Sequence, residues 1–312
     1  MHTTMPHKTL LLALLALAAG LSPVSARPLT AAKIPADAKW VMHLDMERFA
    51  PSQTCRFLTE GPGASASVKA SLAHYRTLLG LDPLKDLSTV TLYGNETTGN
   101  DGVALVGGAL KPDRITTLMR SYPNYRAQSV NGKTLMTWRD KTSGRPLWAC
   151  FNTTRELILA SNQPAVMTSL GTLDGSRPSL DSSRKSGALP LPTARPGTFF
   201  TISTKGYAGQ NPDPVTASIL KNTEHAVIQF AEEKGTVDGQ LTLLADSPDA
   251  ADMIERTLKG LMLGAAFTDD SSPLAKLAEL GTVSRADRTV FMKVRCPAKD
   301  AASLISTLMA GK

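Results

Sequence analysis

The stretch WVMHLDMERF, residues 40–49, places three potential metal ligands at every second position. On a β-strand, residues at this spacing share one face, because successive side chains point to opposite sides. An imidazole and two carboxylates on one face can bind a divalent ion, and a bound ion can activate water for hydrolysis. The pattern therefore offers a metal-dependent hydrolase as one hypothesis. The three residues are His43, Asp45 and Glu47.

A second interpretation of this stretch is the solvent-exposed face of a half-buried strand. The intervening positions are apolar, and strict alternation is typical of a strand that packs only one face on a core. A metal site built on His43 and Asp45 would need a further ligand from His74 or His225. The strand that opens the second half, TFFTIST, carries Thr201 at the corresponding polar position. We therefore favour the solvated face and assign no catalytic, metal-binding or cofactor-binding residue.

Motifs of known enzymes add little support for catalysis. The S-x-x-K pattern of serine acyl enzymes occurs at Ser182/Lys185 and Ser218/Lys221, which matches its chance frequency in a chain of this composition. The sequence contains no G-x-S-x-G, H-E-x-x-H, G-x-x-x-x-G-K-[ST] or C-x-x-C motif. We expect a protein that is not an enzyme, although the sequence leaves the hydrolase open as the alternative.

The first 26 residues have the pattern of a secretory signal peptide. Lys8 supplies a positive charge, and the apolar run LLLALLALAAGL that follows is too short to span a bilayer comfortably. Val24 and Ala26 provide the small residues at −3 and −1 that signal peptidase requires. Cleavage after Ala26 is expected to release a soluble periplasmic or extracellular protein. No cysteine lies near this site, so we do not expect a lipoprotein.

Three cysteines remain in the mature chain: Cys55, Cys150 and Cys296. They lie in elements with unrelated positions in the chain, and a disulfide requires Cα atoms within about 7 Å of each other. We therefore predict three reduced thiols, with at least Cys150 buried. The alternative is a disulfide between Cys55 and Cys150.

The chain has 34 Lys and Arg against 27 Asp and Glu, a net charge of +7. The positive excess lies in residues 27–197, and no cluster of five or more basic residues occurs. Aromatic residues make up only 5% of the chain, so the stacking surfaces of a nucleic-acid-binding protein are missing. We therefore expect no nucleic-acid partner.

A strip rich in Ser, Pro and Arg, residues 174–197, is typical of a linker between two similar halves, 27–173 and 198–312. Each half has the order strand, helix, strand pair, helix, strands and helix, and the first half adds a hairpin, LWACFNTTRELILAS. This order predicts an α+β fold in which each half is a largely antiparallel sheet packed by amphipathic helices on one face. We interpret the halves as a divergent internal duplication. They either share one continuous sheet or lie side by side.

Local signals place hairpins and helices within this order. Asn131-Gly132, the EKG ending at Gly235, and Ala286-Asp287 each predict a turn between antiparallel strands. The triplet Ser-Pro-Asp beginning at Ser247 predicts a helix start, with serine as the cap and proline at the first helical position. Further helices are expected near 64–80, 111–122, 163–172, 213–222 and 298–310.

Four segments resemble sequences known elsewhere: IPADAKWVMHLDMERF, LGLDPLKDLSTVTLYG, DGVALVGGAL and GTVDGQLTLLADSPDAADMIERTLKGL. They are similar to uncharacterised secreted proteins of planctomycetes and related bacteria, over nearly all of the mature chain. The resemblance implies a bacterial exported protein with a duplicated α+β domain, and it brings no site residue with it.

These observations together lead to an expected role outside the cytoplasm. We expect an exported, non-enzymatic binding or structural module of the periplasm or cell envelope. It would use its sheet surface or the groove between its halves to bind an envelope or protein partner. The sequence predicts neither the ligand nor the oligomeric state.

Overall fold

The computed structural model describes residues 27–60, 66–96, 102–141, 143–182, 188–206, 214–266 and 273–310. The signal peptide that the sequence predicts, residues 1–26, lies outside the described residues, as does Lys185 of the first S-x-x-K pattern. In the part of the chain that is described, no helix is both long and apolar enough to cross a membrane.

Twelve strands and ten α-helices make up the described structure. The strands are β1 (Trp40–Asp45), β2 (Leu87–Gly94), β3 (Val103–Gly108), β4 (Arg126–Val130), β5 (Lys133–Arg139), β6 (Pro146–Thr153), β7 (Glu156–Ala160), β8 (Thr198–Lys205), β9 (Thr223–Glu233), β10 (Thr236–Ala245), β11 (Gly281–Ala286) and β12 (Thr289–Pro297). The helices are α1 (Met46–Phe49), α2 (Gln53–Thr59), α3 (Ala66–Leu79), α4 (Pro83–Asp86), α5 (Pro112–Arg120), α6 (Gln163–Leu173), α7 (Pro214–Lys221), α8 (Pro248–Ala266), α9 (Pro273–Leu280) and α10 (Ala298–Ala310).

All twelve strands form one antiparallel sheet in the order β11-β12-β10-β9-β8-β1-β2-β3-β7-β6-β5-β4. The α+β class predicted from the sequence is therefore confirmed. The opening strands of the two halves, β1 and β8, pair with each other, so the halves share one continuous sheet. The extra hairpin of the first half, β6 and β7, is inserted between β3 and β5, whereas β10 pairs directly with β12 in the second half. A common origin of the halves stays a prediction.

The turns and caps follow the local signals. Asn131 and Gly132 both have positive φ, 51° and 74°, as do Lys234 and Gly235 at 50° and 76°. Two consecutive left-handed residues make a tight turn whose twist matches the flanking strands. The third hairpin turns at Asp287, one residue later than the predicted centre.

Four short helices, α1, α2, α4 and α9, were not predicted. Each has eight residues or fewer, so helical periodicity has little length over which to appear, although α7, of eight residues, was predicted. Caps define three of them, because Asp45, Ser52 and Asp82 accept hydrogen bonds from the first-turn amides of α1, α2 and α4.

The sheet has two faces, which we name by what covers them. Leu44 and Val90 point to the helix face, where α1 to α5 and α10 contribute to one large apolar cluster. Val41 and Tyr93 point to the opposite face, which we call the cavity face. Helix α6 packs there through Val166, so the helices of the first half lie on both faces.

The segment predicted as a linker packs on the cavity face where it is described. Leu180 and Leu189 are buried in the same cluster as α6, and the Leu180 N–H donates to the Ile34 carbonyl. Further along, the Ser203 hydroxyl donates to the Pro190 carbonyl. The segment therefore forms part of the cover over the shared border of the two halves.

Candidate functional site

The polar side chains of β1 are not solvated, which corrects the sequence-based interpretation. His43 is only 5% exposed and Asp45 only 2%. His43 lies in a row of buried polar residues that crosses four paired strands on the cavity face. The N-terminal segment and the 174–197 segment lie over this row and form hydrogen bonds with His43 and Gln229. The row consists of Thr91, His43, Thr201 and Gln229.

Both ring nitrogens of His43 are used within the protein. Nε2 lies 3.0 Å from the Arg27 carbonyl oxygen and Nδ1 lies 2.8 Å from the Thr91 hydroxyl. Because a carbonyl can only accept, Nε2 carries the proton and Nδ1 accepts from Thr91. The pKa of His43 is lowered to about 4. Burial is the main cause; the hydrogen bond to the Arg27 carbonyl raises the pKa by less, and the positive charge of Lys33 lowers it slightly. The ring is therefore neutral at physiological pH.

Asp45 caps a helix and holds the N-terminal segment. Its Oδ1 accepts from the Arg48 N–H at 3.1 Å, at the start of α1, and its Oδ2 accepts from the Arg27 N–H at 3.0 Å. The Arg48 Nε lies 3.5 Å from Oδ2. Burial raises the pKa of the Asp45 carboxyl, and the two backbone hydrogen bonds lower it by less.

Glu47 does not belong to the strand face at all. The strand ends at Asp45, and Glu47 lies in the first turn of α1. Its Oε1 lies 3.3 Å from the Arg27 Nε, while its Oε2 is buried and has no hydrogen-bond partner among the residues that the structure describes. The predicted triplet is therefore divided between two elements, because the capping carboxylate of Asp45 ends the strand and starts the helix.

The additional metal ligands considered in the sequence lie elsewhere. His74 is exposed on α3, which packs on the helix face, and so lies across the sheet from His43. His225 lies on β9, four residues from Gln229 in the polar row, which is roughly 13 Å along a strand. Its Nε2 lies 3.8 Å from a Glu224 oxygen. Within the described residues, no group of three or more His, Cys, Asp or Glu is arranged to hold a metal ion.

The cysteines match the prediction. All three are buried and none belongs to a disulfide. Burial raises the pKa of the Cys55 thiol to about 12 and also raises that of Cys150 and Cys296. A protonated, buried thiol is a poor nucleophile, so these residues act as core side chains.

A cavity of about 520 Å³ lies on the cavity face, above β1, β2 and β3. Its floor is formed by Thr89, Thr91 and Gly107, and one wall is the N-terminal segment from Arg27 to Ile34. The opposite wall is the tip of the β6–β7 hairpin, which only the first half possesses. A smaller cavity of about 160 Å³ lies beside it, over the border with β8, and His43 lines both.

The charged residues that line the larger cavity are mainly cationic. Three basic residues, Arg27, Lys33 and Arg155, face one carboxylate, Glu156. Lys33 pairs with Glu156, which also accepts from the Asn152 side-chain amide at 2.8 Å. No ion pair of Arg155 occurs among the described residues.

Sequence reasoning did not identify Arg27, Arg155 or Glu156. They carry no motif, and their relation to His43 depends on chain segments that are distant in sequence. The one usable signal was the predicted cleavage site, which places Arg27 at the start of the mature chain.

No protein family matches the chain, and no curated protein matches it. Among solved structures, the chain is similar to TP0453 in crystal form III, with a TM-score of 0.50 and 8% identity over 90% of this chain and 99% of that chain. Crystal form I of TP0453 has a TM-score of 0.46 and 11% identity over 91% and 98% of the two chains. Likeness at such identities concerns the fold alone. The chain thus has an α+β fold similar to that of TP0453 over most of its length, and its site has to be interpreted from its own residues.

Proposed function

We propose that this protein is an exported, non-enzymatic binding module of the periplasm or cell envelope, whose ligand occupies the larger cavity. The main support for this proposal is the cavity, which is about 520 Å³ in volume and whose polar lining consists largely of hydroxyl groups and cations. This volume lies within the range of small-molecule sites, which are concave and contain a few well-placed polar groups. The predicted signal peptide and the secreted bacterial proteins that the sequence resembles support export.

The groups around the cavity favour binding over catalysis. A general base must reach a substrate proton with a free nitrogen or oxygen atom. His43 uses both ring nitrogens within the protein, and Asp45 uses both oxygens for backbone amides. The geometry therefore gives no support to the hydrolase alternative.

The charges of the lining indicate the chemistry of the ligand. Arg27 and Lys33 are paired with Glu47 and Glu156, whereas Arg155 is exposed at the hairpin tip. An arginine in this position can bind a carboxylate or phosphate through two parallel hydrogen bonds. We propose a small, polar ligand that carries such an anionic group.

Thermal unfolding with defined anions tests this proposal. The probes are inorganic phosphate and short dicarboxylates, followed by a detergent-free envelope extract. A ligand at one hundred times its Kd stabilises the folded state by about 2.7 kcal/mol, which raises the Tm of a protein of this size by several degrees.

Arg155→Ala is expected to abolish the shift. Arg145→Ala is the matched control, because Arg145 is also exposed but lies outside the cavity, in the loop before β6. If no probe raises the Tm, or if both variants respond like the wild type, the cavity is not the binding site.

A further inference from the structure

Arg27 is held by three different side chains through three different groups. Its backbone N–H donates to Asp45 Oδ2 at 3.0 Å, and its carbonyl accepts from His43 Nε2 at 3.0 Å. Its guanidinium Nε lies 3.3 Å from Glu47 Oε1. These three partners are the three potential metal ligands of the 40–49 stretch. The stretch that looked like a metal site or a solvated face is therefore a binding site for residue 27.

Residue 27 is also the residue that the predicted cleavage would make the first of the mature chain. Signal peptidase adds water across the Ala26–Arg27 peptide bond, which leaves a carboxylate on Ala26 and an amine on Arg27. An α-amine has a pKa of about 7.7–8.0, so it carries a proton and a positive charge at neutral pH. The hydrogen-bond donor next to Asp45 would then be an ammonium group in place of an amide.

We propose that removal of the signal peptide creates an α-ammonium at Arg27 that docks on the buried carboxylate of Asp45. The mature chain thus completes the wall of its own cavity with its new amino terminus. This inference rests on the export part of the proposed function and is independent of ligand binding.

The site is built for a charged donor. Asp45 is almost fully buried, and in such a low-dielectric setting a charged donor attracts the carboxylate more strongly than the neutral amide N–H that it replaces. An ammonium also brings two N–H donors more than an amide. Arg48 and Lys33 are the other charged groups close to the site, and they are present before and after cleavage alike.

Two versions of the chain test the docking directly, without export. One is released from a cleavable fusion so that it begins at Arg27, and the other keeps Ser25 and Ala26 in front of it. We expect the chain beginning at Arg27 to melt about 3 °C or more above the extended chain. In Asp45→Asn the difference is expected to vanish, because the amide side chain cannot form the ion pair. In Glu47→Gln it should persist, because the guanidinium partner is shared by both versions.

Equal melting temperatures of the two wild-type versions would overturn the proposal, as would a difference that persists in Asp45→Asn. If Asp45→Asn does not fold, acylation of the α-amine near neutral pH replaces it. Docking on a carboxylate raises the amine pKa by a unit or more, so the folded chain should react about tenfold more slowly than the urea-unfolded chain. Equal rates would also overturn the proposal. So would an exported protein whose first residue, by mass spectrometry, is not Arg27.

Discussion

The cavity faces of the two halves differ although their strand orders correspond. In the first half, β2 and β3 are buried on both faces, and residues such as Tyr93 and Leu105 support α6. In the second half, β10 alternates, and Gln240 and Thr242 leave its cavity face half-exposed. The final helix of each half follows this difference, since α6 packs on the cavity face and α10 on the helix face.

This difference shows where a second layer can pack on a sheet. A strand that is apolar on both sides needs cover on both faces, whereas an alternating strand needs it on one. The first half has thereby gained a second core, an inserted hairpin and a cavity between them. The border strands β1 and β8 fall between the two cases, because their polar residues are buried beneath chain segments and not beneath a helix.

The largest predicted effect concerns the second core of the first half. Ile158 on β7 is fully buried against α6, and Ile158→Ala should lower the free energy of unfolding by about 3 kcal/mol through lost burial and the space left behind. Thr242→Ala, on the cavity face of the second half, should cost below about 1 kcal/mol. Urea unfolding measures both. Similar costs at the two positions would remove the distinction between the halves.

The pH dependence of stability distinguishes β1 from β8. The folded-state pKa of His43, about 4, lies below its unfolded value of 6.5, so the unfolded state binds the proton first as the pH falls. His43 therefore stabilises the fold fully above pH 6.5, and its contribution, about 3 kcal/mol, is lost between pH 6.5 and 4. The raised pKa of Asp45 acts in the opposite direction in this window, so the prediction concerns a difference between proteins.

Substitutions separate the contribution of His43 to the pH dependence from those of the other titratable groups. His43→Gln should be less stable at pH 7 and lose less stability on acidification than the wild type. Thr201→Val, the neighbouring position on β8, should leave the pH profile unchanged in shape. A wild-type profile that matches that of His43→Gln would contradict the assigned burial of a neutral ring.

The carboxylate of Glu232 links the two halves on the helix face. Glu232 of β9 accepts from the Gln53 N–H at 2.7 Å, the Thr54 N–H at 2.9 Å and the Thr54 hydroxyl at 2.6 Å, at the N-terminus of α2. Glu232→Gln should cost about 2 kcal/mol, because the helix start loses its negative partner and one acceptor oxygen. Glu233→Gln, exposed one residue later, should change stability by less than about 0.5 kcal/mol. Equal effects in urea unfolding would mean that the cap contributes nothing.

The smallest predicted effect concerns one hydrogen bond beneath α6. The Tyr93 hydroxyl lies 2.6 Å from the Ser169 hydroxyl, and both residues are buried. Tyr93→Phe should cost about 1 kcal/mol. Combined with Ser169→Ala in a double-mutant cycle, the two costs should not add, because each removes the same contact. Additive costs would show that the pair does not interact.

Much of the fold was readable from local sequence. The Asn131-Gly132 turn, the Ser247 cap and the alternation of β1 each depend on residues that are neighbours in the chain, and the structure contains all three features. The short helices were missed because a cap and one turn carry little periodic signal. The second layer on the first half was also indicated at β3, where Val103 to Val106 are apolar at successive positions.

The sequence by itself determined the strands, the hairpins, the long helices and the side of β1 to which His43 points. Only the tertiary structure decided that this side is buried. The polar face of a strand can be exposed to water, or it can be covered, as it is here by Arg27, Thr91 and the 174–197 segment. Both cases show the same alternation, because the periodicity of a sequence indicates the direction of a side chain and not what lies over it. The covering groups come from distant parts of the chain, and they meet His43 only in the folded protein, where β1 pairs with both β2 and β8.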